Sequence, residues 1–365
     1  MPAENPRAGR LPSLDGLRAV AILMVLGSHC QFAAGWQAGR FPYVFYLFDG
    51  ELGVRIFFVI SGFIITRLLL EEDRTFGAVS LRLFYLRRAL RILPIYFAYL
   101  GLLALLSLAG RYHDSSSNWL GCLTFTRNLV GRGDSATEHF WSLAIEEQFY
   151  LCWPVLFLLL RLGRRRKLAM GLLAGLTLAA LALRLSPIPL EPGPGLAVRL
   201  LGARSLLRYA DSIALGCAGA MLQGGLAVRL PAAAPVLAAA LLAAEQFCDR
   251  QGPGPAMHGA IPTVQAATII VLLLSLLQPA RNLVFRALNL KVMRRIGVLS
   301  YSLYVWHFIF LQAFAPRAMP WPWLQQWTVW WIPAVAVSVL SYEFLEAPFL
   351  RLRRAYGRAP TDVPA

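Results

Sequence analysis

The chain has 365 residues, 58% hydrophobic and only 15% charged, with a formal net charge of +16 at pH 7. A soluble chain of this length would carry about 45–50% apolar residues, so a set of ordinary water-soluble domains is excluded. The positive charge would suit nucleic acid in a soluble protein, but here most of the 35 Lys and Arg cluster in alternate polar segments between apolar blocks. That is an orientation signal for a membrane protein, and no nucleic-acid partner is expected.

The apolar residues form ten blocks of about 20, approximately 14–34, 50–70, 92–110, 142–160, 168–186, 206–223, 231–247, 260–278, 297–315 and 326–347. At 1.5 Å per residue each approaches the roughly 30 Å of a bilayer core. The expected fold is all-α and polytopic, with about ten transmembrane helices. The basic segments place both termini in the cytoplasm. Residues 1–12 and 355–365 read as short cytoplasmic tails around one transmembrane domain, 13–354. The first block lacks a small-residue cleavage site and is expected to be an uncleaved anchor.

That first block, "LDGLRAVAILMVLGSHCQF", holds Arg18 and His29 eleven positions apart. Eleven residues are about three helical turns, so both lie on one face roughly 16 Å apart. The second block contains "IFFVISGFIIT", where Ser61 and Gly62 read as small residues for close helix packing. Next comes "GAVSLRLFYLRRALRIL", basic and amphipathic, expected to lie at the cytoplasmic interface and to rise into the third helix at Pro94. The outer loop 111–140 is polar with apolar interruptions and is expected to pack over the outer mouth.

The fourth block begins near "EHFWSLAIEEQFYLCWP" and sets Glu146 about two turns below the outer surface. The next outer loop, "SPIPLEPGPGLAVRLLGARS", reads as irregular. Segments 171–186 and 231–247 are nearly pure Ala, Leu and Gly and read as lipid-facing or scaffold. Asp211 in "RYADSIALG" lies shallow on the sixth helix, and His307 in "SYSLYVWHFIF" falls near mid-membrane on the ninth. The Trp-rich "MPWPWLQQWTVWW" reads as an interfacial belt.

Five cysteines, Cys30, Cys122, Cys152, Cys217 and Cys248, show no C-x-x-C spacing and read as packing groups. Cys122 and Cys248 both fall in outer loops, so a pairing between them is open. The five histidines are scattered without metal-ligand spacing, so no metal is expected. No Gly-rich phosphate loop is present.

Ionisable groups at membrane depth are costly and mark sites by default. Depth arithmetic gathers His29, Glu146, Asp211 and His307 in the outer half, and Arg18, Arg87, Arg88 and Arg91 at the inner side. A neutral imidazole can take a proton from an alcohol, and a carboxylate can orient it. Guanidinium groups hold phosphate bidentately. The pattern suits a phosphate-bearing donor loaded from the cytoplasm and a base nearer the outside. A proton-coupled exporter could use the same groups.

Several segments together resemble the acyltransferase-3 family of integral-membrane O-acyltransferases: "LDGLRAVAILMVLGSH", "GVRIFFVISGFIIT", "FYLRRALRILPIYF", "HFWSLAIEEQFYLCWP", "LSYSLYVWHFIF" and "SYEFLEAPFLRLRR". They run in the family's order over about 11–354. The resemblance implies transfer of an acyl group, often acetyl, from cytoplasmic acyl-CoA to a hydroxyl of an extracytoplasmic or lipid-linked glycan, in the bacterial inner membrane. It implies His29 as catalytic base or acyl carrier, with Arg18 as its paired arginine. Arg87, Arg88 and Arg91 would hold the CoA phosphates. The W-S-L-x-x-E pattern falls on Trp141, Ser142 and Glu146, and His307 is implied on the acceptor side. Relatives often carry Arg two residues before the sixth-helix aspartate; here Tyr209 stands there and Arg208 is one further back. An acyltransferase tailoring a small molecule such as an antibiotic is the related alternative.

Overall fold

The computed structural model describes residues 12–33, 35, 48–130, 135–186, 196–202, 204–223, 230–277, 282–311 and 321–356. Nearly all of both expected tails lies outside the described residues. In chain order the helices are α1 (Pro12–His29), α2 (Gly50–Phe76), α3 (Leu81–Leu108), α4 (Ser116–Leu123), α5 (Phe140–Leu159), α6 (Arg166–Leu185) and α7 (Leu196–Leu201). They continue with α8 (Ala210–Gln223), α9 (Ala234–Arg250), α10 (Pro255–Leu276), α11 (Leu283–Leu288), α12 (Lys291–Trp306), α13 (Trp331–Ser341) and α14 (Ala347–Ala355). No β-strand occurs among the described residues.

A helix stands on each of the ten apolar blocks. Among the described residues, seven helical stretches are long and apolar enough by themselves to cross a membrane: α1, α2, α3, α5, α6, α10 and the run from α13 into α14. The helices on the other three blocks, α8, α9 and α12, have 14, 17 and 16 residues. The protein is an all-helical, multi-pass membrane protein.

Local chemistry sets the helix ends. Asp49 accepts from the Leu52 amide to open α2, and Gly77, at a left-handed φ of +69°, closes it. Ser80 caps α3 through the Leu83 amide. From there α3 runs unbroken for 28 residues with Pro94 inside it. The expected interfacial segment is therefore the first half of a spanning-length helix. Two of its arginines, Arg88 and Arg91, turn to a cavity within the bundle, which gives them a polar place other than the headgroups.

α2 is the central element. In its apolar stretch 72% of residues are buried, against 17% in the peripheral α6. It packs on α8 and on α1, and α1 packs in turn on α12. The α2–α8 crossing depends on paired glycines. A Cβ on Gly62 would meet the Ile213 carbonyl oxygen at 2.2 Å, and one on Gly216 would meet that of Val59 at 2.2 Å. Gly62 thus serves the packing role expected of it.

The described residues between α3 and α5, 109–130 and 135–139, form a compact cap. Asp114 accepts from Tyr112 and Ser135, each at 2.6 Å, and from Asn118 at 2.5 Å. Fully buried Arg127 pairs with Glu138 at 2.7 Å, and Glu138 also takes Arg204 at 2.5 Å. Cys122 is buried in this cap and unpaired, whereas Cys248 is exposed, so the two do not form a disulfide here. Burial pushes the Cys122 thiol up to about 11.

Candidate active site

A cavity of about 90 Å³ opens between α1, α2, α3, α5 and α12. Arg18 reaches it from the first turns of α1, and Arg88 and Arg91 from the first half of α3. Opposite them stand Ser61 of α2 and Glu146 of α5. The Ser61 hydroxyl donates to Glu146 Oε1 at 2.7 Å. Tyr150, one turn along α5, donates to Ser61 Oγ at 2.9 Å and lies 3.3 Å from Glu146 Oε2. The Arg88 guanidinium sits 4.5 Å over the Tyr150 ring.

None of Arg18, Arg88 and Arg91 makes an ion pair or hydrogen bond among the described residues, and Arg18 Nε is buried without a partner. Buried charges in proteins are paired or hold a ligand. Three unpaired guanidinium groups facing one cavity carboxylate leave an excess of positive charge there. That arrangement suits an anion, and the planar forks suit phosphate. Glu147, beside Glu146, also keeps a buried oxygen without a partner.

The cavity's other wall is made by Ser142 and Tyr304, whose hydroxyls lie 2.7 Å apart. Tyr304 donates to the His139 carbonyl, so Ser142 is the donor of that pair. Tyr304 is one turn from His307, and here the cavity wall meets a cluster of imidazoles. His29 ends α1, and His307 follows α12 in a 3₁₀ turn, His307–Phe310. His29 Nδ1 lies 2.8 Å from His307 Nε2. The His139 ring is 5.2 Å from that of His307. His307 and His139 are buried, whereas His29 keeps some accessible surface.

The sequence-derived residues therefore divide differently from their expected grouping by depth. His29 and His307 do meet. Glu146 joins the arginines rather than the imidazoles. Asp211 lines no part of the cavity; it pairs with Arg184 at 2.5 Å and accepts from Thr263 at 2.7 Å. Depth along a helix says nothing of azimuth, and α8 turns Asp211 towards α6 and α10.

Arg87 likewise leaves the arginine set. Its guanidinium pairs with Glu72 at 2.9 Å and donates to the Tyr356 carbonyl at 3.3 Å, clamping the α2–α3 turn to α14. Arg87 and Arg91 stand one turn apart on the same side of α3, so it is the pair with Glu72, and not the azimuth of the helix, that holds the Arg87 guanidinium out of the cavity. Trp141 packs on Tyr209 and under Arg204, at 5.2 and 5.1 Å, next to Ser142 of the cavity wall.

Sequence reading missed Ser61, Tyr150, Tyr304 and His139 as site residues. His139 had a signal, since it stands two positions before Trp141 in "HFWSL". Among the described residues no group of His, Cys, Asp and Glu has the geometry to hold a metal.

Helices of spanning length thus surround a cavity lined by three arginines, with a cluster of imidazoles adjoining it, as befits a membrane protein with a polar site inside its bundle. Residues 11–342 match the family described as Acyltransferase domain, and the chain belongs to that acyltransferase-3 family. It is 27% identical to peptidoglycan O-acetyltransferase OatA of Listeria monocytogenes over 93% of this chain and 55% of that protein. It is also 27% identical to the putative peptidoglycan O-acetyltransferase YrhL of Bacillus subtilis, over 93% of this chain and 54% of that one. A putative O-acetyltransferase of Staphylococcus aureus is 34% identical over 44% of this chain and 27% of its own length. The chain thus spans about half the length, or less, of the curated relatives it matches. No solved structure matches it.

Proposed function

We propose that this protein is a bacterial plasma-membrane O-acyltransferase that moves an acyl group, acetyl in the simplest case, from cytoplasmic acyl-CoA to a hydroxyl of an extracytoplasmic or lipid-linked glycan. The observation that carries the reading is the set of unpaired guanidinium groups, Arg18, Arg88 and Arg91, around one cavity within acyltransferase helices. A CoA phosphate supplies the charge they lack. The glycan acceptor is supported by the two relatives whose names specify peptidoglycan O-acetylation. Ten crossings with both termini in the cytoplasm, and a transmembrane domain over 13–354, set the basic end of α3 on the side of the donor.

The donor's phosphates bind the arginines, and its thioester points along α1 towards His29. The acceptor hydroxyl gives its proton to His29 as its oxygen attacks the thioester carbonyl. The carbon–sulfur bond breaks, and the CoA thiolate leaves and takes up a proton. In the covalent variant His29 first carries the acyl group and then yields it to the hydroxyl. Both routes balance and both need an accessible imidazole nitrogen. Ser142, Trp141 and His307 border the acceptor side.

The test uses purified full-length chain in nanodiscs with acetyl-labelled acetyl-CoA and peptidoglycan fragments. The proposal expects CoA release matched by base-labile acetyl ester on the glycan. Counterflow of a solute with protons and no CoA release would instead identify an exporter. Transfer to a small amphiphilic alcohol but to no glycan would identify a tailoring enzyme.

A further inference from the structure

The strongest unassigned relationship is the contact between His29 and His307. Its ring planes are 5° from parallel and the centroids are 5.1 Å apart, while the two nitrogens are 2.8 Å apart. The centroid separation exceeds the nitrogen separation by about two ring radii. The rings therefore lie edge to edge in nearly one plane, the arrangement in which a nitrogen lone pair meets an N–H head on.

The donor of this bond can be worked out from the backbone. His307 Nδ1 lies 2.8 Å from the Tyr304 carbonyl and 3.1 Å from that of Leu303. A carbonyl oxygen only accepts, so His307 Nδ1 carries its hydrogen. His307 is fully buried, and no carboxylate among the described residues is bonded to it, so burying a charge there has no compensation. A neutral imidazole has one N–H, which leaves His307 Nε2 bare. The contact at 2.8 Å is then a hydrogen bond donated by His29 Nδ1.

We infer that His307 is a positioning residue: it fixes His29 as the Nδ1–H tautomer and leaves His29 Nε2 as the bare nitrogen that meets the reacting hydroxyl or acyl carbon. His29 Nε2 has no partner among the described residues, and His29 alone of the three clustered imidazoles keeps accessible surface. The inference rests on the proposed transferase chemistry of His29. It replaces a direct acceptor-binding role for His307 with one exerted through His29.

The arrangement favours the reacting state selectively. Before proton transfer, the His29–His307 bond joins two neutral rings. Once His29 Nε2 is protonated, the same bond runs from a cation to a neutral lone pair, and charge-assisted bonds are roughly twice as strong. An interaction that strengthens only as the proton arrives raises kcat rather than donor affinity. A residue holding the wrong tautomer would present an N–H where a lone pair is needed.

The experiment records ¹⁵N spectra of full-length protein labelled at histidine, with the His29 signals assigned by difference from His29→Asn. It pairs these with kcat and KM for acetyl-CoA in wild type, His307→Leu and His307→Gln. The inference expects His29 to show a protonated Nδ1 and a bare Nε2 in wild type. It expects His307→Leu to mix the tautomers and lower kcat by about 10²–10⁴-fold, the range for general-base function, with KM for acetyl-CoA within about threefold. His307→Gln, whose side-chain oxygen can accept from His29 Nδ1, should restore the tautomer and bring kcat to within about tenfold of wild type. An Nε2–H tautomer in wild type, or an unchanged kcat in His307→Leu, would overturn it. Absence of acetyl-CoA turnover in wild type would instead overturn the transferase reading, and the tautomer spectrum still judges the His307 role.

Discussion

Ser61 Oγ donates to Glu146 Oε1 at 2.7 Å, joining the central α2 to α5 across the cavity. With Tyr150 it sets the direction in which the carboxyl faces the arginines. Ser61→Ala removes the nearer of the two donors and leaves the more distant Tyr150. Loss of a hydrogen bond to a buried polar group costs about 1–3 kcal/mol, so kcat/KM for acetyl-CoA should fall by roughly 10–100-fold. Steady-state kinetics on the purified variant check this; an unchanged kcat/KM would remove Glu146 and its support from the site.

The arginines separate into two groups with different expected kinetics. Arg88→Gln or Arg91→Gln should each raise KM for acetyl-CoA by about 10–100-fold, the worth of one charge-assisted hydrogen bond. Arg87→Gln breaks a largely buried pair with Glu72 outside the cavity, so it should lower the melting temperature while the KM of the folded fraction moves by less than about threefold. Equal effects at Arg87 and Arg88 would contradict the division.

Asp211 anchors helices. Removing one partner of a buried ion pair costs about 3–5 kcal/mol, because the remaining charge stays buried. Asp211→Asn should therefore lower the melting temperature in detergent, and the folded fraction should keep its KM for acetyl-CoA. A variant with normal melting and a raised KM would place Asp211 in substrate binding.

Orientation can be read from cysteine chemistry. Cys248 is exposed near the end of α9, whereas Cys122 is buried with its thiol pushed up to about 11. With the termini in the cytoplasm, a membrane-impermeant maleimide added outside intact cells should label Cys248 and leave Cys122 unmodified. Labelling of Cys248 only after the cells are opened would reverse the topology.

Much of this arrangement was legible in the sequence, and what was missed shares a cause. Hydropathy found every helix-bearing block, and helical spacing found the Arg18–His29 face. Both follow from properties local to one segment. The grouping of Glu146 with the arginines, and of Asp211 with Arg184, depends on how helices are rotated about their axes, which depth cannot supply. Ser61 sits beside Gly62, whose packing role is real, and its hydroxyl was hidden by that neighbour. His139, His29 and His307 come from three distant segments, so sequence spacing could not show that their rings adjoin. The basic stretch before Pro94 resembled an interfacial helix because its arginines looked exposed; the cavity that receives Arg88 and Arg91 is lined by four other helices as well.

The central claim is that His29 carries the proton or the acyl group in transfer from acyl-CoA to a hydroxyl. The most direct measurement is the rate of labelled acetyl transfer to peptidoglycan fragments by wild type and His29→Asn in nanodiscs, alongside equilibrium binding of CoA to both. Loss of a general base costs about 10²–10⁴-fold, so the variant should lose at least about 10²-fold in transfer rate while binding CoA as wild type does. A His29→Asn protein that transfers acetyl within about threefold of the wild-type rate would contradict the account.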